Sequence, residues 1–298
     1  MRIAQAVSTP CLSSLFMARS AEVEILKKGF LQFPVDPTFL GPRVHAIIEG
    51  MKRLTGDPRA AKALPWRTFA TDAYGPRYGQ EVGLIFKNDD DVKYTLQYTP
   101  EAFTNVGKDP ALQSYLPLFD ALFDIDAKAK EIALALAACF DAHNRGQIPS
   151  MQYPGSLVEA LLAGRCISRV LCYPPQAKRI MRAKLHVDRS AITPHIYGSE
   201  QGLLVWDREI REWVPVEETS LSKIAVFPGE KFAACTRNVY NMYGTPHGVW
   251  CHKAPEENRY AIVCFAHPAA NDNDAKWLLE NRTKIEEFEA SIPQPKFA

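Results

Sequence analysis

Three residues of the 298-residue chain have the types and spacing to share a metal ion: His186, Asp188 and His247. His186-Val187-Asp188 closes the strand-like run Ala183–Val187, and side chains two apart on a strand project from the same face. An imidazole and a carboxylate are therefore neighbours. Thr245-Pro246-His247-Gly248-Val249 offers a second imidazole at the start of another strand, after a Gly/Pro turn that would direct it. Two neutral imidazoles and one carboxylate on one face of an octahedron leave three positions open, which suits Fe(II) and activation of O2.

Arg259-Tyr260-Ala261 is the next candidate. Arg259 and Ala261 lie on one side of a strand expected to face the same interior, where a guanidinium needs a carboxylate or phosphate partner. His45, His143, His252 and His267 have no partners at metal-ligand spacing and read as hydrogen-bonded structural residues. Asp89-Asp90-Asp91 lacks the spaced oxygens and distal Glu of a calcium loop and reads as a solvated loop.

The elements that must position these residues change rhythm near Gly155. Before it, Val44, Ile47, Ile48, Met51 and Leu54, and later Ile132, Leu136, Cys139, Phe140 and His143, recur at helical spacing; both stretches predict amphipathic helices lying on a sheet. Ile25–Phe33 predicts an early strand, and Tyr74–Tyr78 and Lys87–Asp91 read as loops. After it come the short runs Ile167–Tyr173, Ala183–Val187, Gly202–Trp206, Lys223–Phe227, Lys231–Cys235, Val249–His252 and Arg259–Phe265, a density that predicts a jelly roll. Asn271–Asp274 can cap a last helix carrying Trp277, Leu278, Ile285 and Phe288, expected to pack on the front helices. The expected organisation is one domain over residues 1–298: a helix-rich support region 1–154, a jelly-roll core 155–268 and a C-terminal helix 269–298.

Composition narrows the ligand. Thirty-five basic and thirty-four acidic residues leave a formal charge of +1, with no block that would suit nucleic acid or an anionic membrane, so a small organic substrate is expected. No apolar run reaches the length of a membrane span, and Met1–Met17 is a poor signal-peptide core, so the chain is expected in the cytoplasm. The seven cysteines are scattered without a Cys-x-x-Cys pair and predict free thiols.

Cys172-Tyr173-Pro174-Pro175, His186-x-Asp188, Gly202-Leu203-Leu204-Val205, Trp213-x-x-Val216, His247-x-Val249 and Arg259-Tyr260-Ala261 together resemble, in order and spacing, the isopenicillin N synthase-like branch of the Fe(II)/2-oxoglutarate-dependent dioxygenases. The resemblance covers roughly the final half of the chain. It implies a double-stranded β-helix core with flanking helices and Fe(II) on His186, Asp188 and His247. It also implies 2-oxoglutarate as cosubstrate, with Arg259 on its distal carboxylate and Tyr173 donating a hydrogen bond to it. The implied reaction uses O2, releases succinate and CO2, and hydroxylates, desaturates or cyclises the substrate through a ferryl intermediate.

Two departures stand out. Ala261 occupies the place of a serine that in relatives shares the distal carboxylate, and Thr193-Pro194-His195-Ile196-Tyr197 replaces an apolar strand, so that His195 and Tyr197 are expected to edge into the pocket. The loss at Ala261 keeps alive an Fe(II)/O2 oxidase that takes all its electrons from the substrate. A jelly-roll binding protein without catalysis is the alternative of another class. Retention of Asp188, where halogenating relatives have a small residue, disfavours halogenation.

Overall fold

A computed structural model of the chain describes residues 23–65, 67–69, 80–87, 93–147, 156–175, 181–250 and 257–295. Its strands, in chain order, are β1 (Leu31–Pro34), β2 (Arg67–Phe69), β3 (Gln80–Lys87), β4 (Lys93–Tyr98), β5 (Arg165–Tyr173), β6 (Met181–His186), β7 (Ile192–Gly198), β8 (Leu203–Asp207), β9 (Glu212–Pro215), β10 (Lys223–Pro228), β11 (His247–Trp250) and β12 (Arg259–His267). An eight-stranded sheet, β1-β10-β7-β12-β5-β4-β3-β2, faces a four-stranded sheet, β6-β11-β8-β9. This is the expected double-stranded β-helix with flanking helices.

Alternation along the strands divides the large sheet into two faces. The outer face carries Cys166, Val170, Cys172, Ile192, Ile196, Ile224, Val226, Ile262 and Cys264, which join Val44, Ile47, Met51, Ile132, Leu136 and Phe140 of helices Pro37–Thr55 and Leu116–Gln147 in one core. The inner face meets the small sheet through a second core that includes Leu203, Val205, Val216, Phe227 and Val249. Both front helices thus lie where their apolar stripes predict. Among the described residues no helix is long and apolar enough to cross a membrane.

Local structure differs from expectation at four places. Residues 23–28 are helical, and Gly29 at φ 92° ends that turn, so the early strand is only Leu31–Pro34. Lys231–Cys235 is the body of a helix, Glu230–Cys235, because Gly229 caps it and Lys-Phe-Ala-Ala-Cys contains no β-branched residue. The front part is not helix alone: β3 and β4 extend the large sheet, with β4 paired to β5 from Tyr94↔Cys172 to Tyr98↔Ser168. The final helix is broken at Asn281 into Asp272–Glu280 and Arg282–Ser291, and Leu278 and Ile285 pack on Ala234 rather than on the front helices. Tyr74–Tyr78, Asp89–Asp91 and His252 lie outside the described residues. The five described cysteines, Cys139, Cys166, Cys172, Cys235 and Cys264, are buried and form no disulfide among the described residues.

One buried acid joins helix and sheet. Asp126 of Leu116–Gln147 accepts a hydrogen bond from Ser168 Oγ of β5 at 2.7 Å, and burial pushes its carboxyl up to about 6 against that bond and one from Cys166. A folded value above the unfolded one means that stability from this group is full below about pH 4 and lost as pH rises to about 6. Asp126→Asn keeps the accepting oxygen and removes the charge. It is expected to gain roughly 2 kcal/mol at pH 7.5 and nothing near pH 4. Urea unfolding at the two pH values checks this; an equal loss at both would contradict it.

Candidate metal centre

Strands β6 and β11 are neighbours in the small sheet, with His247 directly opposite His186, and Asp188 follows two residues beyond. The ligand atoms of all three lie within 4.8 Å of one another. Nε2 of His186 is 3.4 Å from Asp188 Oδ1, and Nε2 of His247 is 3.5 Å from Asp188 Oδ2. His186 sits at the mouth, its side chain 45% exposed, whereas Asp188 and His247 are buried.

The backbone aims both rings. Nδ1 of His186 lies 2.6 Å from the Lys184 carbonyl and Nδ1 of His247 lies 3.0 Å from the Thr245 carbonyl. A carbonyl can only accept, so each Nδ1 carries the proton and each Nε2 lone pair points into the site. The turn before His247 depends on Gly244, whose φ is 111° and whose missing Cβ would overlap Val187. The Phe227 ring, 4.4 Å from that of His247, walls the inner side.

The electrostatics fit a cation. Burial holds the His247 imidazole down to about 4, hence neutral. Burial also lowers His186, but the Asp188 carboxylate and the Lys184 carbonyl outweigh it and the net shift is upward. Asp188 is opposed by burial, yet the two imidazoles and the Thr193 hydroxyl hold it well below the usual carboxylate range. Asp188 Oδ2 is fully buried without a hydrogen-bond donor. A buried carboxylate whose two oxygens each face an imidazole lone pair is costly unless a positive ion sits among them.

Of the expected cosubstrate residues, Tyr173 and Ala261 line the cavity that holds the triad, whereas Arg259 does not line it. Arg259 is opposite Tyr173 in the β12–β5 pair and stacks over its ring, 5.5 Å from the centroid. The guanidinium is not open, however: Nη2 donates to Glu218 Oε2 at 2.5 Å, while Nε and Nη1 are buried without a hydrogen-bond partner among the described residues. Glu218 also accepts from the Leu203 amide at 2.7 Å and lies 3.4 Å from His195 Nε2. A Cβ at Gly198 would overlap the Glu218 carboxylate, so glycine there makes the room it occupies. Ala261 and Gly198 face each other across β12 and β7.

A cavity of about 590 Å³ spreads from the triad between the two sheets, and Tyr173, His195 and Ala261 line it together with the triad. Tyr197 does not line it. The β12–β7 ladder slips between Ile262 and Val263, so that His195 pairs with Val263 and Tyr197 with Ile262. This bulge resets the alternation, and Tyr197 packs on the helix-side core beside Ile196. Residues that spacing does not single out include Glu218, Arg169, Gln97 and Phe227. Arg169 has a legible sign, a lone charge in the apolar run Cys166–Tyr173; Glu218 has none, since Glu217-Glu218 reads as a solvated pair.

No family model matches the sequence, and no curated protein resembles it in sequence. Solved structures do match. A protein from Shewanella oneidensis assigned as an oxygenase aligns over 91% of this chain and 94% of its own, with TM-score 0.66 and 18% identity. A protein from Caulobacter crescentus assigned to the 2OG-Fe(II) oxygenase family covers 91% and 95%, with TM-score 0.61 and 18% identity. A full-length Neurospora crassa protein, in complex with alpha-KG and 5-formyluracil, covers 90% and 89%, with TM-score 0.59 and 18% identity. At this identity the likeness is one of fold, and it extends over the front helices as well as the barrel.

Proposed function

We propose that the protein is an Fe(II)-dependent oxygenase of small organic molecules with 2-oxoglutarate as cosubstrate. The observation that carries the reading is the Asp188 carboxylate, whose Oδ2 is buried without a donor 3.5 Å from His247 Nε2 and whose Oδ1 lies 3.4 Å from His186 Nε2. His186, Asp188 and His247 would hold the metal, which would supply O2 activation at its open positions. The fold shared with a protein in complex with alpha-KG supports the choice of cosubstrate.

The chain's own residues do the rest. The Lys184 and Thr245 carbonyls hold the proton of each neutral imidazole on Nδ1 and so turn each Nε2 lone pair to the metal position, and the Phe227 ring packs against His247. Arg259 retains Nε and Nη1 for the cosubstrate's distal carboxylate, which must then share the guanidinium with Glu218. Two carboxylates on one cation repel, and Ala261 offers no compensating hydroxyl. The Glu218–Arg259 pair therefore favours one second reading, an Fe(II)/O2 oxidase that needs no 2-oxo acid.

Anaerobic titration of the protein with Fe(II) and then 2-oxoglutarate tests the leading reading. The expected result is stoichiometric metal binding followed by a weak visible charge-transfer band. Glu218→Gln removes the competing charge and is expected to tighten 2-oxoglutarate about tenfold or more. Iron binding without a band in either protein, together with substrate oxidation that releases no succinate, would select the oxidase. Absence of iron binding would leave a binding protein.

A further inference from the structure

Arg169 is a cation of the cavity wall that the metal centre and the Arg259 pair leave unused. It stands on the inner face of β5, opposite Val263 of β12 and Gln97 of β4. The Phe265 ring lies under the guanidinium, 4.7 Å from centroid to carbon. Among the described residues its single hydrogen bond is from Nε to Gln97 Oε1 at 2.7 Å, which leaves both Nη groups available. No carboxylate of the described residues forms an ion pair with it, and burial lowers its pKa, opposed by the more distant Asp188 and Tyr173.

Gln97 supplies the independent observation. It is 3% exposed and lines the same cavity, and its Nε2 is buried without a hydrogen-bond partner. Because Oε1 is taken by Arg169, the amide is oriented with its two N–H donors turned away from the bond. A guanidinium edge and an amide N–H2 side by side, with an aromatic ring under the guanidinium, present planar donors that match a carboxylate. A partly buried guanidinium without an acid carries an uncompensated charge, which an entering anion would match.

We infer that Arg169 and Gln97 form a carboxylate-binding subsite, which takes the acidic end of an organic acid lying in the cavity beside the metal centre. This rests on the oxygenase reading for its purpose but not for its chemistry. The carboxylate could belong to the substrate or to the 2-oxo acid, and the subsite's donors serve both.

The test uses the 298-residue chain. Glutarate, which has no keto group with which to chelate a metal, is titrated into metal-free protein by calorimetry. Wild type is expected to bind it, and Arg169→Met to weaken binding at least about tenfold, the loss of a charge-assisted pair. Gln97→Glu is the companion variant: it keeps the packing, gives Arg169 an internal carboxylate, and is expected to abolish binding as completely. Arg169→Lys should recover part of the affinity. Unchanged glutarate binding in Arg169→Met and Gln97→Glu, or none in wild type, would overturn the inference.

With Fe(II) present and oxygen excluded, the same variants identify the source. If Arg169→Met lowers 2-oxoglutarate affinity to that of 2-oxopentanoate, the subsite holds the cosubstrate's distal carboxylate. If it spares 2-oxoglutarate but removes glutarate binding to the 2-oxoglutarate-loaded protein, the carboxylate is the substrate's. A protein that gives no charge-transfer band with either 2-oxo acid but still binds glutarate through Arg169 would sink the oxygenase reading and keep the subsite.

Discussion

Asp188→Ala is expected to lower Fe(II) affinity by more than about hundredfold, since outer-shell partners alone cost ten- to hundredfold and Asp188 would be a ligand itself. Asp188 faces both Nε2 atoms, at 3.4 Å and 3.5 Å, so its removal leaves two neutral imidazoles with no anion between them. Stability should fall far less than affinity. The imidazoles and the Thr193 hydroxyl that hold the carboxyl low lose their partner, but the burial of an oxygen without a donor is relieved at the same time. Anaerobic calorimetry with Fe(II), paired with urea unfolding of the metal-free protein, separates the two. Retained Fe(II) affinity would mean that Asp188 is no ligand, and collapse of the metal-free fold would make it a structural residue.

Arg259→Met is expected to cost about 3–5 kcal/mol, because it leaves the Glu218 carboxylate buried and unpaired. The double variant Glu218→Gln/Arg259→Met should recover most of that loss. Gln keeps an oxygen for the Leu203 amide that Glu218 now accepts from, and neither residue then carries a charge. Urea unfolding of the single and double variants measures the coupling. Additive losses would mean that the pair contributes no interaction of its own and that Glu218 is free to leave Arg259 for a ligand.

The cluster of His186, Asp188 and His247 is legible in sequence for a local reason. His186 and Asp188 are two apart on one strand, and His247 follows a turn held by Gly244, so short-range geometry already aims them. The helices at Pro37–Thr55 and Leu116–Gln147 are legible because a single apolar stripe records one buried face. Lys231–Cys235 is not, since a short apolar run fits a strand or a buried helix equally, and Gly229 decides between them. Tyr197 escapes the expected pocket because alternation does not run unbroken through a strand that faces a slip in β12.

By itself the sequence determined the candidate ligand set, the barrel and the presence of an inward arginine, because each is written in neighbouring residues or in a period. Only the tertiary structure decided what that arginine meets. Glu218 lies 41 residues before Arg259 and reaches it over the space left by Gly198, and Arg169 lies 72 residues from Gln97 across a strand pair. Pairing of charges over such separations is set by which strands the barrel brings together, and spacing along the chain carries no record of it.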